Sequence, residues 1–351
     1  MAVLVIIVFC IPPVMAQENY TLSAIPQFGI FYGQAEEIVY PPPSTYPLKG
    51  NRDYLSQLLW EMKPVFYYGL DLDFSRVQPM DRIGFYSVLS LKTAIPGKSG
   101  NMEDRDWQSK VNNALTNYSV HDNFTEEIFW LDASLGLSLP IRHLFLLKMQ
   151  LCYSYMRFCF YGMDGYMIYA KEISSGVFEP IGDAPVVSLN GFGKVISYTQ
   201  EWFIFSPGFS FGMDFLKYFY FELFFQISPV ILFVDIDDHL MTKVQYKDYL
   251  MGGVFLEPRA AISFTPNKWL SVSFETSYRG IFLTRGATYK RNILPDDNPL
   301  NTESYYVQLG EAGAGLSIIS FRLLLKIRLT EPFNTKKTES YSYPLMNRSY
   351  K

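Results

Sequence analysis

Charged residues, cysteines and long apolar runs are all scarce in this sequence of 351 residues. Charged residues make up 18% of the chain, below the ~25% usual for a soluble domain. The 30 basic and 34 acidic side chains nearly balance, which argues against a nucleic-acid binder. Three cysteines are too few for a disulfide scaffold. After residue 16 no stretch offers about 18 uninterrupted apolar residues, so membrane-spanning helices are not expected.

Aromatic residues and turn formers are abundant instead. Phe, Tyr and Trp make up 17% of the chain, and 23 Gly and 21 Pro interrupt it, which disfavours a helical bundle. Several segments alternate apolar and polar residues with a period of two, for example 129–138 and 270–279. One apolar and one polar face, with few charges overall, are typical of strands that face lipid on one side and a hydrated interior on the other.

The sequence predicts an all-β fold, a ten-stranded antiparallel transmembrane β-barrel. An even strand number, with short turns at one end and long loops at the other, is typical of outer-membrane barrels, whose long loops lie outside the cell. The predicted strands are 20–33, 54–74, 82–93, 124–138, 145–160, 198–213, 218–234, 250–264, 269–285 and 304–321. The predicted external loops are 34–53, 94–123, 161–197, 235–249 and 286–303.

The two ends of the chain differ from the predicted barrel. An apolar run that ends at Val14-Met15-Ala16 predicts a secretory signal peptide over residues 1–16. Residues 331–351 are polar and are predicted to form a C-terminal tail. The barrel with its external loops is therefore predicted over residues 17–330, and the predicted location is the outer membrane.

Two of the predicted loops hold close pairs of ionisable residues. Asp104 and Asp106 are two residues apart, as are Asp237 and His239, so each pair shares one face if the chain is extended there. A carboxylate beside an imidazole can fix its tautomer, and histidine is a suitable general base at neutral pH. Two other interpretations stay open, because Asp is common in solvated loops and Asp with His can also bind calcium or zinc.

Four segments of the sequence resemble the omptin family of outer-membrane aspartate/histidine endopeptidases. They are Glu37-Ile38-Val39-Tyr40, Leu55-Ser56-Gln57-Leu58-Leu59-Trp60, Gly100-Asn101-Met102-Glu103-Asp104-Arg105-Asp106-Trp107 and Ser119-Val120-His121. Asp237-Asp238-His239 falls where that family carries its Asp-x-His pair. The resemblance implies an omptin-type barrel in which Asp104 and His239 activate the hydrolytic water. Asp237 would orient His239, Asp106 would complete the second acidic pair, and neither an acyl-enzyme nor a metal would take part.

The resemblance also implies how a substrate binds. The family cleaves peptides and proteins next to basic residues, and Glu37 and Asp235 match two acids of its substrate pocket. Asn117 stands where a third acid is expected, so the preference for Arg or Lys could be altered here. Ser119 and His121 match positions near the cleft and are expected to support the site. The predicted partners are therefore peptides with basic residues, and no nucleic acid.

A third implication concerns lipid. The family requires lipopolysaccharide, and Tyr153 and Arg157 match its binding site on the barrel exterior, with Lys247 as a further candidate. Tyr155 and Glu201 replace an expected acid and an expected base, and Glu201 would repel a lipid phosphate. A requirement for lipopolysaccharide or another outer-membrane lipid is thus left open, and no other cofactor is expected.

Two functions follow from these observations. The leading hypothesis is an outer-membrane endopeptidase that cleaves next to basic residues at the outward mouth of the barrel. The alternative is a non-catalytic barrel, an adhesin or narrow pore that retains the omptin fold. The four residues Asp104, Asp106, Asp237 and His239 favour the first.

Overall fold

The structure is a computed structural model that describes residues 20–41, 53–76, 83–141, 144–293 and 306–330. The predicted signal peptide and the predicted C-terminal tail lie outside these ranges. Within them, no helix has the length and apolar character needed to cross a membrane.

Ten strands make up the body of the molecule, and three of them are interrupted once. They are β1 (Tyr20–Val39), β2 (Ser56–Arg76), β3 (Gly84–Ala94 and Gly97–Asp106), β4 (Asn117–Ile141), β5 (Phe145–Tyr169), β6 (Lys194–Leu216), β7 (Phe219–Ser228 and Val230–His239), β8 (Val244–Met251 and Phe255–Asn267), β9 (Leu270–Asn292) and β10 (Val307–Arg328). Between β5 and β6 lie a small ribbon of Glu172–Ser174 and Val177–Phe178, a 3-10 turn at Ile181–Asp183, and the short strand Val186–Ser188, which pairs with β5.

The strands form a closed antiparallel ring. Each strand pairs with its neighbours in the chain, and β10 returns to pair with β1. Ala35 on β1, for example, lies opposite Trp60 on β2 and Leu316 on β10. The predicted all-β, ten-stranded antiparallel fold is confirmed.

The outer surface divides into an apolar belt and a charged upper zone. The belt consists of exposed apolar side chains on many strands, including Phe28, Tyr68, Leu70, Leu135, Leu151, Phe209, Phe225, Phe274, Ile319 and Leu323. Such a belt is typical of a lipid-facing surface. Nearer the end where β1, β3 and β7 finish, the exterior carries ion pairs such as Arg157–Glu127 and Arg105–Glu103. That end of the ring therefore extends beyond the belt.

The strands are longer than predicted, and all five predicted external loops were wrong in their bounds. Residues 34–39, 161–169, 194–197, 244–249 and 286–292 belong to strands. Residues 97–106 and 117–123 belong to β3 and β4 although they fall in the predicted loop 94–123, and 235–239 belong to β7 rather than to a loop. Strand β10 likewise continues to Arg328 instead of ending at 321. Beyond the apolar belt both faces of a strand can be polar, so the alternation that marks a strand in the sequence disappears while the backbone pairing continues.

Aromatic and aliphatic side chains fill the lumen beneath the upper end. Trp60 stacks on Tyr198 and Phe160, with ring centroids 5.4 and 5.8 Å apart. Trp202 packs on Phe233 at 4.1 Å. These side chains are almost fully buried, so they form a packed layer across the barrel and a floor for the space above it.

Below this layer the lumen holds buried ion pairs. Arg279 lies 2.8 Å from Glu257 and 3.4 Å from Asp132, and Asp132 also accepts a hydrogen bond of 2.7 Å from Lys92. Arg322 pairs with Glu275 at 2.7 Å. Each buried charge in this network has a partner of opposite sign, as charges removed from water require.

Replacing Arg279 by Met should destabilise the barrel strongly. Glu257 and Asp132 would lose a buried partner, and breaking such a pair typically costs about 3–5 kcal/mol. The matched control is Lys98→Ala, which breaks the exposed Lys98–Asp122 pair and should cost no more than about 1 kcal/mol. Guanidinium unfolding followed by tryptophan fluorescence measures both, and equal losses in the two variants would contradict the expectation.

Candidate active site

Strands β3 and β7 bring the two predicted pairs of ionisable residues to the same end of the barrel. Asp104 on β3 lies opposite Leu58 and Ser119, while Asp237 on β7 lies opposite Tyr198 and Tyr246. The two strands lie on opposite sides of the ring, so their inward side chains face each other across its mouth. Asp104 and the pair on β7 are near enough to affect each other's pKa values.

Asp237 holds the His239 imidazole. The Nε2 atom of His239 lies 2.7 Å from Oδ2 of Asp237, which is almost fully buried. The Tyr246 ring packs edge-on against the imidazole, with centroids 5.3 Å apart. Because Nε2 is bound to Asp237, the second ring nitrogen, Nδ1, is the one that can accept a proton.

Burial and three neighbouring carboxylates decide the protonation of His239. Burial lowers its pKa, but the Asp237 charge and hydrogen bond, together with the charges of Asp104 and Asp106, raise the pKa to about 9. The imidazole therefore holds a proton more tightly than a solvent-exposed histidine.

The two carboxylates on β3 are held differently. Burial raises the pKa of both Asp104 and Asp106, and the nearby Ser56 hydroxyl offsets part of this rise. Asp106 also accepts hydrogen bonds from Asn117 at 2.9 Å and from Gln108 at 3.2 Å. In contrast, Oδ1 of Asp104 is buried without a partner in the described part of the chain. That oxygen can accept a hydrogen bond from a molecule that enters the cleft.

Ser119 and His121 form a second pair on β4, beside Asp104. The His121 Nε2 atom lies 3.0 Å from the Ser119 hydroxyl, and Nδ1 lies 2.8 Å from the carbonyl oxygen of Asp164. Asp164 and Gly165 both have positive φ, and a Cβ atom at Gly165 would lie 1.9 Å from the Val120 oxygen. Only glycine therefore allows this bend. Burial lowers the pKa of His121, which favours the neutral imidazole. A neutral imidazole can keep both contacts, with the Ser119 hydroxyl and with the Asp164 carbonyl.

Three carboxylates form an acidic pocket next to the Asp237–His239 pair. Glu37, Asp235 and Asp248 are each at most 2% exposed, and one oxygen from each lies within 4.8 Å of the others. Tyr198 donates a hydrogen bond of 2.9 Å to Asp235, and the Asp248 amide donates another of 3.0 Å. Burial raises the pKa of all three carboxyl groups, and the nearby charge of Asp237 raises each of them further. Among the residues that the structure describes, this is the group that could hold a metal ion.

The predicted substrate residues occupy two places. Glu37 and Asp235 meet in the acidic pocket, whereas Asn117 binds Asp106 on the opposite wall. Sequence reasoning missed Asp248 and Tyr246. The feature that could have identified them is the short connection 240–243, which makes β7 and β8 a tight hairpin. In this hairpin Asp248 lies opposite Asp235, and Tyr246 lies opposite Asp237.

The predicted lipid-binding residues lie apart from this site. Tyr153 packs on Phe205 with centroids 4.9 Å apart. Arg157 lies within 3.4 Å of Glu127 and 3.6 Å of Glu201. A lipid phosphate at Arg157 would have to compete with both carboxylates.

Lys247, the third candidate for lipid binding, is on β8, where its amine lies 5.0 Å from the centre of the Tyr249 ring. β8 and β5, the strand of Tyr153 and Arg157, are separated by β6 and β7. A lipid that reached all three residues would therefore span several strands. Lipid binding stays a prediction.

Comparison with known proteins relates this arrangement to one family. A family model described as the Omptin family matches residues 18–318, and no curated protein matches the chain. The structure is similar to the crystal structure of the outer membrane protease OmpT from Escherichia coli, with a TM-score of 0.72 and 20% identity over 88% of this chain and 97% of that one.

Two further solved structures align at lower similarity. The translocator domain of the autotransporter NalP from Neisseria meningitidis has a TM-score of 0.36 and 6% identity, covering 90% of each chain. The Pseudomonas putida toluene transporter TodX has a TM-score of 0.30 and 6% identity, covering 89% of each chain. The family model, by contrast, spans most of the sequence, and we conclude that this protein belongs to the omptin family.

Proposed function

We propose that this protein is an outer-membrane endopeptidase that hydrolyses peptide bonds next to basic residues with a water molecule activated by Asp104 and His239. The observation that carries the proposal is that each wall of the barrel mouth offers one hydrogen-bond acceptor to a water molecule between them. Oδ1 of Asp104 lacks a partner among the described residues, and His239 binds Asp237 through Nε2, which leaves Nδ1 for the water.

In the proposed reaction, a water between the two side chains donates one hydrogen bond to Asp104 and one to Nδ1 of His239. As the water oxygen attacks the peptide carbonyl carbon, its proton passes to the imidazole, and the Asp237 carboxylate stabilises the resulting imidazolium. The imidazolium then protonates the leaving amine as the carbon–nitrogen bond breaks. A general base placed in this way contributes about 10²–10⁴-fold to the rate.

The acidic pocket supports the proposed preference for basic residues. Glu37, Asp235 and Asp248 are buried and form no ion pair with a Lys or Arg of the described chain. A guanidinium or ammonium group of the substrate would supply the missing positive charge. The buried carboxylates would then be paired and hydrogen-bonded, which removes the cost of burying them alone. The pocket lies next to Asp237 on β7, so a bound basic side chain would place the adjacent peptide bond near His239.

The outer surface supports the location and the orientation that we propose. The apolar belt fits a lipid bilayer, and the site lies beyond the belt at the end where most of the connecting segments are longer. We place this end outside the cell, because long loops of outer-membrane barrels are external. Exposed peptides could then enter the cleft directly.

Asp104→Asn and His239→Ala should each abolish most cleavage of a fluorogenic peptide with two adjacent Arg residues. We expect kcat/KM to fall by about 10²-fold or more because each change removes one acceptor for the water. The matched control is Asp238→Asn, on the same strand as His239, which should retain cleavage. Chelators should not lower the activity. Unchanged cleavage in both variants would remove the mechanism, and no cleavage by the unmodified protein would favour the non-catalytic barrel.

The activity should rise with pH as His239 loses its proton. Since its pKa is raised to about 9, the base form becomes abundant only as the pH approaches that value. Asp237→Asn removes the charge and the hydrogen bond that raise the pKa, so the imidazole should titrate at a lower pH. NMR titration of the histidine signals measures this shift directly, and the pH profile of residual kcat/KM measures it independently. An unmoved titration in Asp237→Asn would contradict the assignment.

Asp235→Asn should weaken the preference for a basic residue. A hydrogen bond to a charged group contributes about 1.5–3 kcal/mol, so kcat/KM for an Arg-containing peptide should fall by about 10- to 100-fold. A peptide with norleucine in place of Arg should change little, because it makes no ion pair in either protein. Equal losses with the two peptides would show that Asp235 does not select the charge.

A further inference from the structure

The acidic pocket differs from the other buried acids of the lumen in its charge balance. In the lower network Asp132, Glu257 and Glu275 each have a Lys or Arg partner within 3.4 Å. Glu37, Asp235 and Asp248 have no such partner among the described residues, although each is at most 2% exposed. Buried carboxylates without a counter-charge are costly, so this pocket is built for a cation that the chain itself does not provide.

Unpartnered oxygen atoms show where that cation would bind. Oε2 of Glu37 and Oδ1 of Asp248 are buried and accept no hydrogen bond in the described structure. Oδ1 of Asp237 is also buried without a hydrogen-bond partner in the described structure, and Asp237 lies on the same face of β7 as Asp235. Two of the three pocket carboxylates, Glu37 and Asp248, therefore each carry a buried oxygen with free lone pairs.

The spacing and chemistry of the ligand atoms indicate which cation fits. The three pocket carboxylates each offer an oxygen within 4.8 Å of the other two. Two oxygens bound to one Ca²⁺ at about 2.3–2.6 Å lie at most about 5 Å apart, so this spacing fits a single ion, whereas Mg²⁺ dehydrates reluctantly and is rarely held by protein ligands alone. A ligand set of carboxylates alone also favours a hard cation over zinc, which prefers nitrogen and sulfur.

We propose that Glu37, Asp235 and Asp248 bind one Ca²⁺ ion in the peptide-free protein. The ion occupies the space that the basic side chain of a substrate takes, so Ca²⁺ and substrate exclude each other. Binding of Ca²⁺ does not depend on proteolysis. The competition with substrate rests on the proposed function.

Direct binding tests the site. Purified full-length protein in detergent, freed of lipopolysaccharide, is titrated with CaCl₂ by calorimetry and by displacement of Tb³⁺ luminescence. Tyr198 donates a hydrogen bond to Asp235, so its ring is close enough to sensitise a bound Tb³⁺ ion. We expect one saturable site for each chain. No saturable binding up to about 10 mM, above the ~10⁻³ M range of weak extracellular calcium modules, would overturn the proposal.

Amide variants locate the ion. Glu37→Gln and Asp248→Asn keep the shape of each side chain and remove one charge, and each should weaken Ca²⁺ binding by about 10-fold or more. Asp238→Asn is the matched control, because Asp238 lies on the same hairpin but hydrogen-bonds Gln245 outside the pocket. Thermal unfolding confirms that each variant is folded, and Ca²⁺ should raise the Tm of the unmodified protein and of the control only. Equal Ca²⁺ affinity in all four proteins would place the ion elsewhere and overturn the proposal.

Enzyme kinetics separate this proposal from the proposed function. For a dibasic peptide, Ca²⁺ should raise KM without changing kcat, and Asp248→Asn should lose this inhibition. If Ca²⁺ binds at the pocket but the protein cleaves no peptide, the metal site stands and the protease assignment fails. If the protein cleaves peptides but Ca²⁺ leaves KM unchanged, the protease assignment stands and the shared site fails.

Discussion

The alternation of side chains around a closed ring of strands determines where every charge in this protein lies. Because each strand pairs on both sides, successive residues point either to the exterior or into the lumen. Ionisable residues at inward positions are therefore taken out of water together, within a few ångströms of one another. Their charges must be balanced by residues of opposite charge or by an ion or ligand that enters the lumen from solvent.

The two halves of the lumen meet this requirement differently. In the lower half, Arg279 lies between Asp132 and Glu257, and the packed layer around Trp60 and Trp202 closes the barrel above it. In the upper half, carboxylates accumulate on both walls with His239 as their positive neighbour. The lower half thus pairs its charges within the chain, while the upper half leaves carboxylate oxygens without a partner among the described residues. Most buried polar groups in proteins are hydrogen-bonded, so a group of unpartnered carboxylate oxygens requires an explanation.

The fold was largely predictable because the apolar belt imposes a period of two on the sequence. Segments such as 129–138 and 270–279 show it clearly and lie within β4 and β9. The upper strand ends were not predictable in this way. Asp104 and His239 lie on strands, yet their surroundings are polar on both faces, so the sequence there looks like a loop. The close spacing of the ionisable pairs, and not periodicity, singled out these residues, and the resemblance to the omptin motifs then supplied the roles proposed for them.

The sequence by itself determined the class of fold, the ten strands and the identity of the paired residues Asp104, Asp106, Asp237 and His239. Only the tertiary structure decided which groups meet across the lumen. The addition of Asp248 to Glu37 and Asp235, and the attachment of Asn117 to Asp106, depend on the register of a hairpin and on the curvature of the ring. Local sequence patterns report which face a residue occupies, but contacts across a barrel arise from closure, which joins strands far apart in the chain.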